Sequence, residues 1–460
     1  MKTYASWLYY TELKHTYGDI VSLQVLGQPM IILNSFEAVQ DLIVRKTSTF
    51  SDRPVLVMCG ELVGWDRGIA LGRGTRWAMS RKILHKFLGK SAIQDYFESI
   101  QDECRPFVAR LVSSPGSLME QTTLFVAKLV LEMAYGLKIN SFEDDTVRFS
   151  KKAAVIFGEA AQPGAFLVDT FPALKHIPSW FPGAGFQRKA AEWRDTMLKG
   201  LSIPHEQAKK DMASGVALPS FTSRVLEDMP DGVTDELLMC TTGSMYGAAV
   251  DTTKATICTF VLAMVLHPEV QAKAQKELHA VIGTERLPKF SDRPALPYIE
   301  SILKEVIRWQ PIVPTSIPYR ATQDADYEGY YIPEGSILIA NSWAISRDEK
   351  LYQSPEAFIP ERFEGEKAAL DPHQIVFGYG KRICPGLHFA DAIVWMTITS
   401  LLATVHFSKV RDELGNEITP VPEYSGGLVR ELNKFPYASR YLSATSAALI
   451  QDDAAAAVVP

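Results

Sequence analysis

The sequence predicts a mainly α chain with a small β region, and three observations carry that prediction. A segment of helical character without an interior breaker runs from Thr234 to His267-Pro268, roughly 50 Å at the rise of an α-helix, enough to cross a whole domain. The stretch from Asp102 to Ala213 also reads as mainly helical, with breaks at Pro115-Gly116 and across Phe171 to Gly185. Against these stand a few β-rich runs, among them Ile20 to Val25, Met30 to Leu33 and Ile337 to Ala340. A length of 460 residues allows about three domains, yet no Gly/Ser-rich or Pro-rich linker and no internal repeat divides the chain. Residues 1–442 are therefore read as one domain, and Ser443 to Pro460, alanine-rich and free of aromatics, as a disordered tail.

Composition narrows the function. Hydrophobic residues at 47% and charged residues at 22% supply an ordinary globular core. The formal charge of −6 argues against a nucleic-acid binder, which presents a basic balance. Five cysteines form no Cys-x-x-Cys pair and leave one over, which suits a reducing compartment. Cys240 and Cys258 fall on one helix, roughly 27 Å apart, and cannot bridge. No run of eighteen apolar residues is present, so no membrane span is expected, and the start Met1-Lys2-Thr3-Tyr4 lacks the apolar core of a signal peptide.

In chain order, Tyr4 to Tyr17 reads as a short amphipathic helix, followed by a hairpin turning at Leu26-Gly27-Gln28-Pro29. Ser35 is suited to cap a helix opening at Phe36, and residues 47–74 read as loop and short helix. Trp77 and Arg81, four apart, share a helix face. Thr234-Asp235-Glu236 joins a capping residue to first-turn acids at the head of the long helix. In the middle of that helix an acid and an alcohol, Asp251 and Thr252, interrupt an apolar stretch; taken alone, such a pair is better explained by polar residues facing water. Pro268 opens and Gly283 closes the next helix. Tyr298 to Trp309 is a helix on which Glu305 and Arg308 face the same side. Residues from Ile312 to Tyr331 enter β structure, and Tyr330 to Gly335 is read as a turn before the strand at Ile337. Ser425-Gly426-Gly427-Leu428 suggests a hairpin tip.

The most informative stretch is Phe377-Gly378-Tyr379-Gly380-Lys381-Arg382-Ile383-Cys384-Pro385-Gly386. A cysteine sits among three glycines, where backbone must turn tightly or approach something bulky. An apolar helical segment, Leu387 to Phe407, follows at once, and a helix N-terminus favours thiolate over thiol. Zinc would need three or four protein ligands, and only His388 and His373 are near. Haem iron takes a single cysteine thiolate and leaves its other face open for oxygen.

The pattern Phe-x-x-Gly-x-Arg-x-Cys-x-Gly, filled by Phe377, Gly380, Arg382, Cys384 and Gly386, closely resembles the haem-binding loop of the cytochrome P-450 family. Other motifs follow the same resemblance, in order, from about Tyr4 to Leu442. Trp77 and Arg81 match the Trp-x-x-x-Arg pair that binds haem propionates. Gly247 to Thr253 matches the distal-helix pattern in which Thr252 would steady oxygen and Asp251 would relay protons. Ala249 stands where the family has glycine, adding a methyl near the oxygen site. Glu305 and Arg308, with Arg362 of Pro360-Glu361-Arg362-Phe363, match a buried structural triad. Tyr319 stands where the family commonly has His or Arg, with Arg320 next to it, which leaves that propionate contact open.

The resemblance implies the cytochrome P-450 fold, haem b as cofactor with Cys384 as the metal ligand, and a monooxygenase that hydroxylates an unactivated C–H bond with one atom of O2. No nicotinamide or flavin fingerprint is evident, so electrons from NADPH would come through a partner reductase, docking on a basic face of Arg81, Lys82, Lys86, Lys90 and Lys381. Candidate pocket walls are Val55, Met58, Leu62 and Trp65, with Ile312, Val313, Thr315 and Ile317. The apolar break Ile177 to Gly183 suggests peripheral membrane contact. The expected location is intracellular: the surface of the endoplasmic reticulum if an N-terminal anchor has been lost, otherwise the cytoplasm. Phe-Ser-Asp-Arg-Pro and Trp-Phe-Pro-Gly look most like fungal members that tailor secondary metabolites, which implies a terpenoid or similar apolar substrate. A haem-thiolate isomerase or dehydratase needing no reductase, and a non-catalytic haem sensor, are the alternatives; Asp251-Thr252 argues against the first.

Overall fold

In the computed structural model the described residues are 5–451 except 115, 140, 142 and 163. The expectations at Tyr4, at Pro115 and over 452–460 lie outside them. A helix at Ser6–Tyr17 leads into strands β1, Ile20–Val25, and β2, Gln28–Leu33, paired antiparallel. Two further strands complete this sheet: β3, Tyr319–Arg320, and β4, Ile337–Ala340, in the order β1-β2-β4-β3, with β2 parallel to β4. Ser35 caps the next short helix as expected, accepting from the Ala38 N–H at 3.3 Å.

The remainder is helical around one element, the central helix Asp235–Leu266. Thr234 caps it, its hydroxyl accepting from the Leu237 N–H at 3.2 Å, and Asp235 and Glu236 complement the positive end of the helix dipole. It packs against Leu118–Tyr135 on one side and against the helix after the cysteine loop, Leu387–Thr404, on another. Both the central helix and Leu387–Thr404 are long and apolar enough to cross a membrane. Their apolar windows are 67% and 72% buried inside the protein, which is how core helices satisfy the same pattern.

Three expectations are corrected. The helix after the cysteine loop ends at Thr404 rather than Phe407, because Val405–Ser408 is a strand paired with Ala438–Tyr441. Gln271 holds it extended from the other side, donating to the Phe407 carbonyl at 2.9 Å and accepting from its N–H at 2.8 Å. Tyr330–Ile332 is itself a strand, paired with Ala325–Tyr327 through a turn at Glu328-Gly329 where both residues have positive φ. Within the expected disordered tail, Ala444–Gln451 is a helix that packs on Phe97–Ser113 and buries Ile450.

Two charge networks brace the segments that precede the cysteine loop. Glu305 and Arg308 are wholly buried, with paired bonds of 2.7 and 2.8 Å, and Arg362 adds a third at 3.2 Å. The Ile359 N–H also donates to Glu305, at 2.7 Å, and Arg308 spends its remaining donors on the carbonyls of Ser346, Pro355 and Ala357. One carboxylate thus serves two guanidiniums, and backbone groups take the remaining bonds, so the buried charges are hydrogen-bonded, the condition under which a buried ion pair is tolerated.

In the second network His373 lies between Asp371, at 2.7 Å, and Asp391, at 3.2 Å, and stacks on Phe377 with ring centroids 5.5 Å apart. Arg293 pairs with Asp391 and Glu300, and Lys304 with Asp371. Burial lowers the His373 pKa, but its bonds to the two aspartates outweigh burial and hold it at about 9.

Glu305→Ala is expected to cost about 3–5 kcal/mol, because two buried guanidiniums lose their carboxylate; the denaturation midpoint against wild type measures it. The folded pKa of His373 lies above the unfolded value of roughly 6.5, so its contribution is full below that pH and lost as the pH rises through about 9. Thermal scans of wild type and His373→Gln should accordingly differ most near neutral pH or just below it and converge under alkaline conditions.

Candidate functional site

The cysteine loop is shaped by two glycines in the left-handed region, Gly378 at φ +79° and Gly380 at φ +57°. A Cβ on Gly380 would lie 2.9 Å from the Ile43 carbonyl oxygen, so conformation and close approach both demand glycine there. The Cys384 N–H donates to the Phe377 carbonyl at 2.8 Å, closing the loop on its first residue. A short turn at Gly380–Arg382 then delivers Cys384 just before the helix that begins at Leu387.

Of the five cysteines, Cys384 alone is not fully buried. Its electrostatics differ from the sequence expectation. Burial raises the thiol pKa, and the Gly386 N–H and the Arg81 charge only partly oppose it. The helix terminus therefore does not by itself keep this sulfur ionised. A bound metal cation reverses that balance, since a coordinating thiol is deprotonated outright.

Beside the loop lies a cluster of cations. The Arg81 guanidinium donates to the Ile383 carbonyl at 2.7 Å. Arg382 donates to the carbonyls of Ser51 and Gly72, each at 2.8 Å, and lies 3.8 Å above the Trp77 ring. The structure thus brings together Trp77, Arg81, Arg382 and Cys384, which the chain separates by up to 307 positions. Arg53, a buried residue the sequence reading passed over, completes the group. It donates to the carbonyls of Ala70, Ile317 and Pro318 and stacks 4.7 Å over Tyr319. Burial, then the neighbouring charge of Arg53, lowers the Arg382 pKa to about 9, with Asp52 opposing and Arg81 adding to the effect.

Asp52, 4.0 Å from Arg382 and 3.6 Å from Arg320, is the carboxylate paired with this group. Three guanidiniums so gathered fit the two propionates of haem better than they fit one another. Tyr319 does not take the place of a His or Arg here. Its hydroxyl accepts from the Tyr379 N–H at 3.2 Å in a buried contact, while Arg320 turns to Asp52.

On the central helix, Val250 and Thr253 are buried, whereas Ala248 is exposed and Gly247, Asp251 and Thr252 are half-exposed, although all lie midway along the longest helix. Residues three and four apart share a face, so Ala248, Asp251 and Thr252 form one patch that protein does not cover. The Thr252 hydroxyl donates to the Ala248 carbonyl at 2.8 Å, and Asp251 pairs with Lys254 at 3.0 Å. Ala249 packs against the main core, so its methyl lies off the face marked by Ala248.

The expected walls divide. Val313, Thr315 and Ile317 are half-buried beside buried Ile312, Pro314 and Ser316, but the segment expected to enter β structure at Ile312 is bends and a turn, with Ser316 at φ +52°, and the strand begins only at Tyr319. Ile312 and Met58 are core residues rather than lining, and Val55 is exposed. Leu62 and Trp65 are half-buried, Trp65 meeting Phe157 edge-on at 5.3 Å. Among the proposed docking cations, Lys82, Lys86, Lys90 and Lys381 are exposed, but Arg81 turns inward to Ile383.

The family model for Cytochrome P450 matches residues 3–427. The cytochrome P450 monooxygenase claR of Ampulloclitocybe clavipes is 43% identical over 435 residues, covering 93% of this chain and 81% of that protein. Cytochrome P450 monooxygenase 208 of Postia placenta is 39% identical, covering 97% and 87%. A cytochrome P450 monooxygenase of Armillaria gallica is 40% identical, covering 95% and 87%. Family model, relatives and a helical fold with small sheets agree, and the chain belongs to the cytochrome P450 family as a haem-dependent monooxygenase.

Proposed function

We propose that the protein inserts one oxygen atom from O2 into an apolar small molecule, a secondary metabolite of the terpenoid kind. The observation that carries this reading is the pairing of the Cys384 loop and its cationic cradle with an uncovered acid-alcohol patch on the central helix. Haem, when bound, would supply the iron for oxygen chemistry, with the Cys384 thiolate as its protein ligand.

The chain's own residues have separate tasks in this reading. Cys384 provides the thiolate. Phe377, Gly380 and Gly386 shape the loop that aims it. Trp77, Arg81 and Arg382 hold the propionate edge, with Arg53 supporting. Thr252 and Asp251 would handle protons from the central helix, where a hydroxyl and a carboxylate sit side by side on the uncovered patch. The half-buried side chains of Val313 and Ile317 offer an apolar substrate little to hydrogen-bond, so shape and dewetting would orient it. The fungal origin of the relatives supports a natural-product substrate.

Electrons reach this site from an NADPH-dependent reductase in the same reading, with Lys82, Lys86, Lys90 and Lys381 as its docking cations. Trp180 is 77% and Phe181 47% exposed, with Phe171 and Leu167 exposed nearby. Solvent-facing aromatics of that size suit the headgroup level of a bilayer, which supports peripheral membrane contact and an intracellular location at the endoplasmic reticulum surface.

Cys384→Ser should abolish the thiolate-type carbon-monoxide difference spectrum and NADPH-dependent substrate oxidation together; full turnover in that variant would overturn the reading, and turnover without NADPH or reductase would point to an isomerase or dehydratase. For the membrane contact, flotation with liposomes should carry wild type upward and leave the Trp180→Ser/Phe181→Ser variant behind, whereas equal partitioning would remove it.

A further inference from the structure

The segment that carries Val313, Thr315 and Ile317 has no ladder of its own: it runs through bends and a turn before the strand at Tyr319, and Pro311, Pro314 and Pro318 bring no N–H to one. Its carbonyls still need donors. These come from residues distant in the chain. Arg347 donates to the Trp309 carbonyl at 2.8 Å, and Arg430 to the Pro311 carbonyl at 3.3 Å and to the Gln310 side chain at 3.0 Å. The Arg430 N–H donates to the Ile312 carbonyl at 2.9 Å, and the Trp343 N–H to the Pro314 carbonyl at 3.0 Å. At the far end Arg53 takes the carbonyls of Ile317 and Pro318, at 2.6 and 2.8 Å.

The donors at the near end are locked to one another. Arg430 is only 5% exposed, and its guanidinium lies 4.3 Å from the Tyr424 ring, 4.5 Å from that of Trp343 and 5.3 Å from that of Trp7 in the first helix. Arg347 lies 3.3 Å from the same Trp343 ring and pairs with Glu356 at 3.2 Å. The Tyr424 hydroxyl in turn meets that of Thr259 on the central helix at 3.0 Å. A planar guanidinium held by two acceptors and three rings has little freedom to shift. Whatever Arg430 grips is therefore fixed relative to the first helix and the central helix together.

We propose that Arg430 and Trp343 are positioning residues for the substrate wall, holding the backbone between Gln310 and Pro314 so that the protein selects among apolar molecules by a preformed shape. The inference rests on the reading of Val313, Thr315 and Ile317 as lining of the pocket. A lining held in this way distinguishes molecules of equal size and polarity by their outline. One free to yield would lose ordering entropy at each binding and accept several outlines.

The test uses the haem-loaded protein. It is titrated with imidazole, as the control for access to the iron, and with the ortho, meta and para isomers of 1-(biphenylylmethyl)imidazole, which share size and polarity and differ in shape. The shift of haem absorption on ligation gives each Kd. In Arg430→Met the ratio between the weakest and the tightest isomer should fall by about threefold or more, with imidazole changed by less than about twofold. Hydrogen exchange follows the clasp without any ligand: the Trp343 amide should exchange slowly in wild type and about tenfold faster in Arg430→Met. If Arg430→Met takes up no haem, Arg430→Lys, which keeps the charge and gives up the planar stack, carries the same comparison. Unchanged isomer ratios, or a Trp343 amide that exchanges fast in wild type or is unaffected by the variant, would overturn the proposal. A wild type whose haem absorption responds to none of the azoles would instead count against the pocket reading, while the exchange rates would still decide whether Arg430 holds the segment.

Discussion

The structure turns on a competition over the charge of a single sulfur. At Cys384 the adjoining helix start, the Gly386 N–H and the Arg81 guanidinium all favour the anion, and burial favours the neutral thiol; burial wins. The anion therefore needs a cation bonded directly to it, and the loop supplies what such a bond requires: fixed aim and low polarity. Gly380 fits against Ile43, and the Cys384 N–H closes on Phe377, so the sulfur has little freedom to turn elsewhere. A more exposed cysteine would ionise more easily but would also meet water and oxidants more easily.

The same logic explains the neighbouring arginines. Arg53, Arg81 and Arg382 donate to backbone carbonyls, which orient them without neutralising them. Asp52 offsets only part of the charge. The fold thus holds positive charge where a dianionic cofactor edge can use it, while the Glu305 network, in which two guanidiniums share one buried carboxylate, serves as a brace. Arg308 and Arg362 share a carboxylate within bonding distance, at 2.7 and 3.2 Å, whereas Asp52 stands 4.0 Å from Arg382, and that separates the two roles.

Much of this was legible in the chain. The cysteine loop, the Trp77-Arg81 spacing, the capped central helix and the Glu305-Arg308 pair each depend on residues within a few turns of one another, and local pattern is what a sequence displays. What escaped depends on long-range contact. Arg53 reads as an ordinary loop arginine until Ile317 and Pro318 close over it. The Lys254–Glu431 contact joins residues 177 positions apart, which no local pattern displays. The helix after the cysteine loop continues its apolar pattern past Thr404, and only pairing with Ala438–Tyr441 and the amide of Gln271 turns it into strand. At Cys384 the dipole direction follows from the sequence, whereas the burial that opposes it in the metal-free thiol does not.

Gln271 and Gln275, one helical turn apart on Pro268–Ile282, both reach the strand Val405–Ser408, Gln275 donating to the Val405 carbonyl at 3.1 Å. The opposite side of that strand is already paired with Ala438–Tyr441. Two side-chain amides thus stand in for a missing third strand and occupy backbone groups that another polypeptide could otherwise zip onto. A short ribbon of this kind is protected from edge-to-edge aggregation by a helix laid across it, which lets the fold keep a small sheet beside its longest helices without exposing a sticky border.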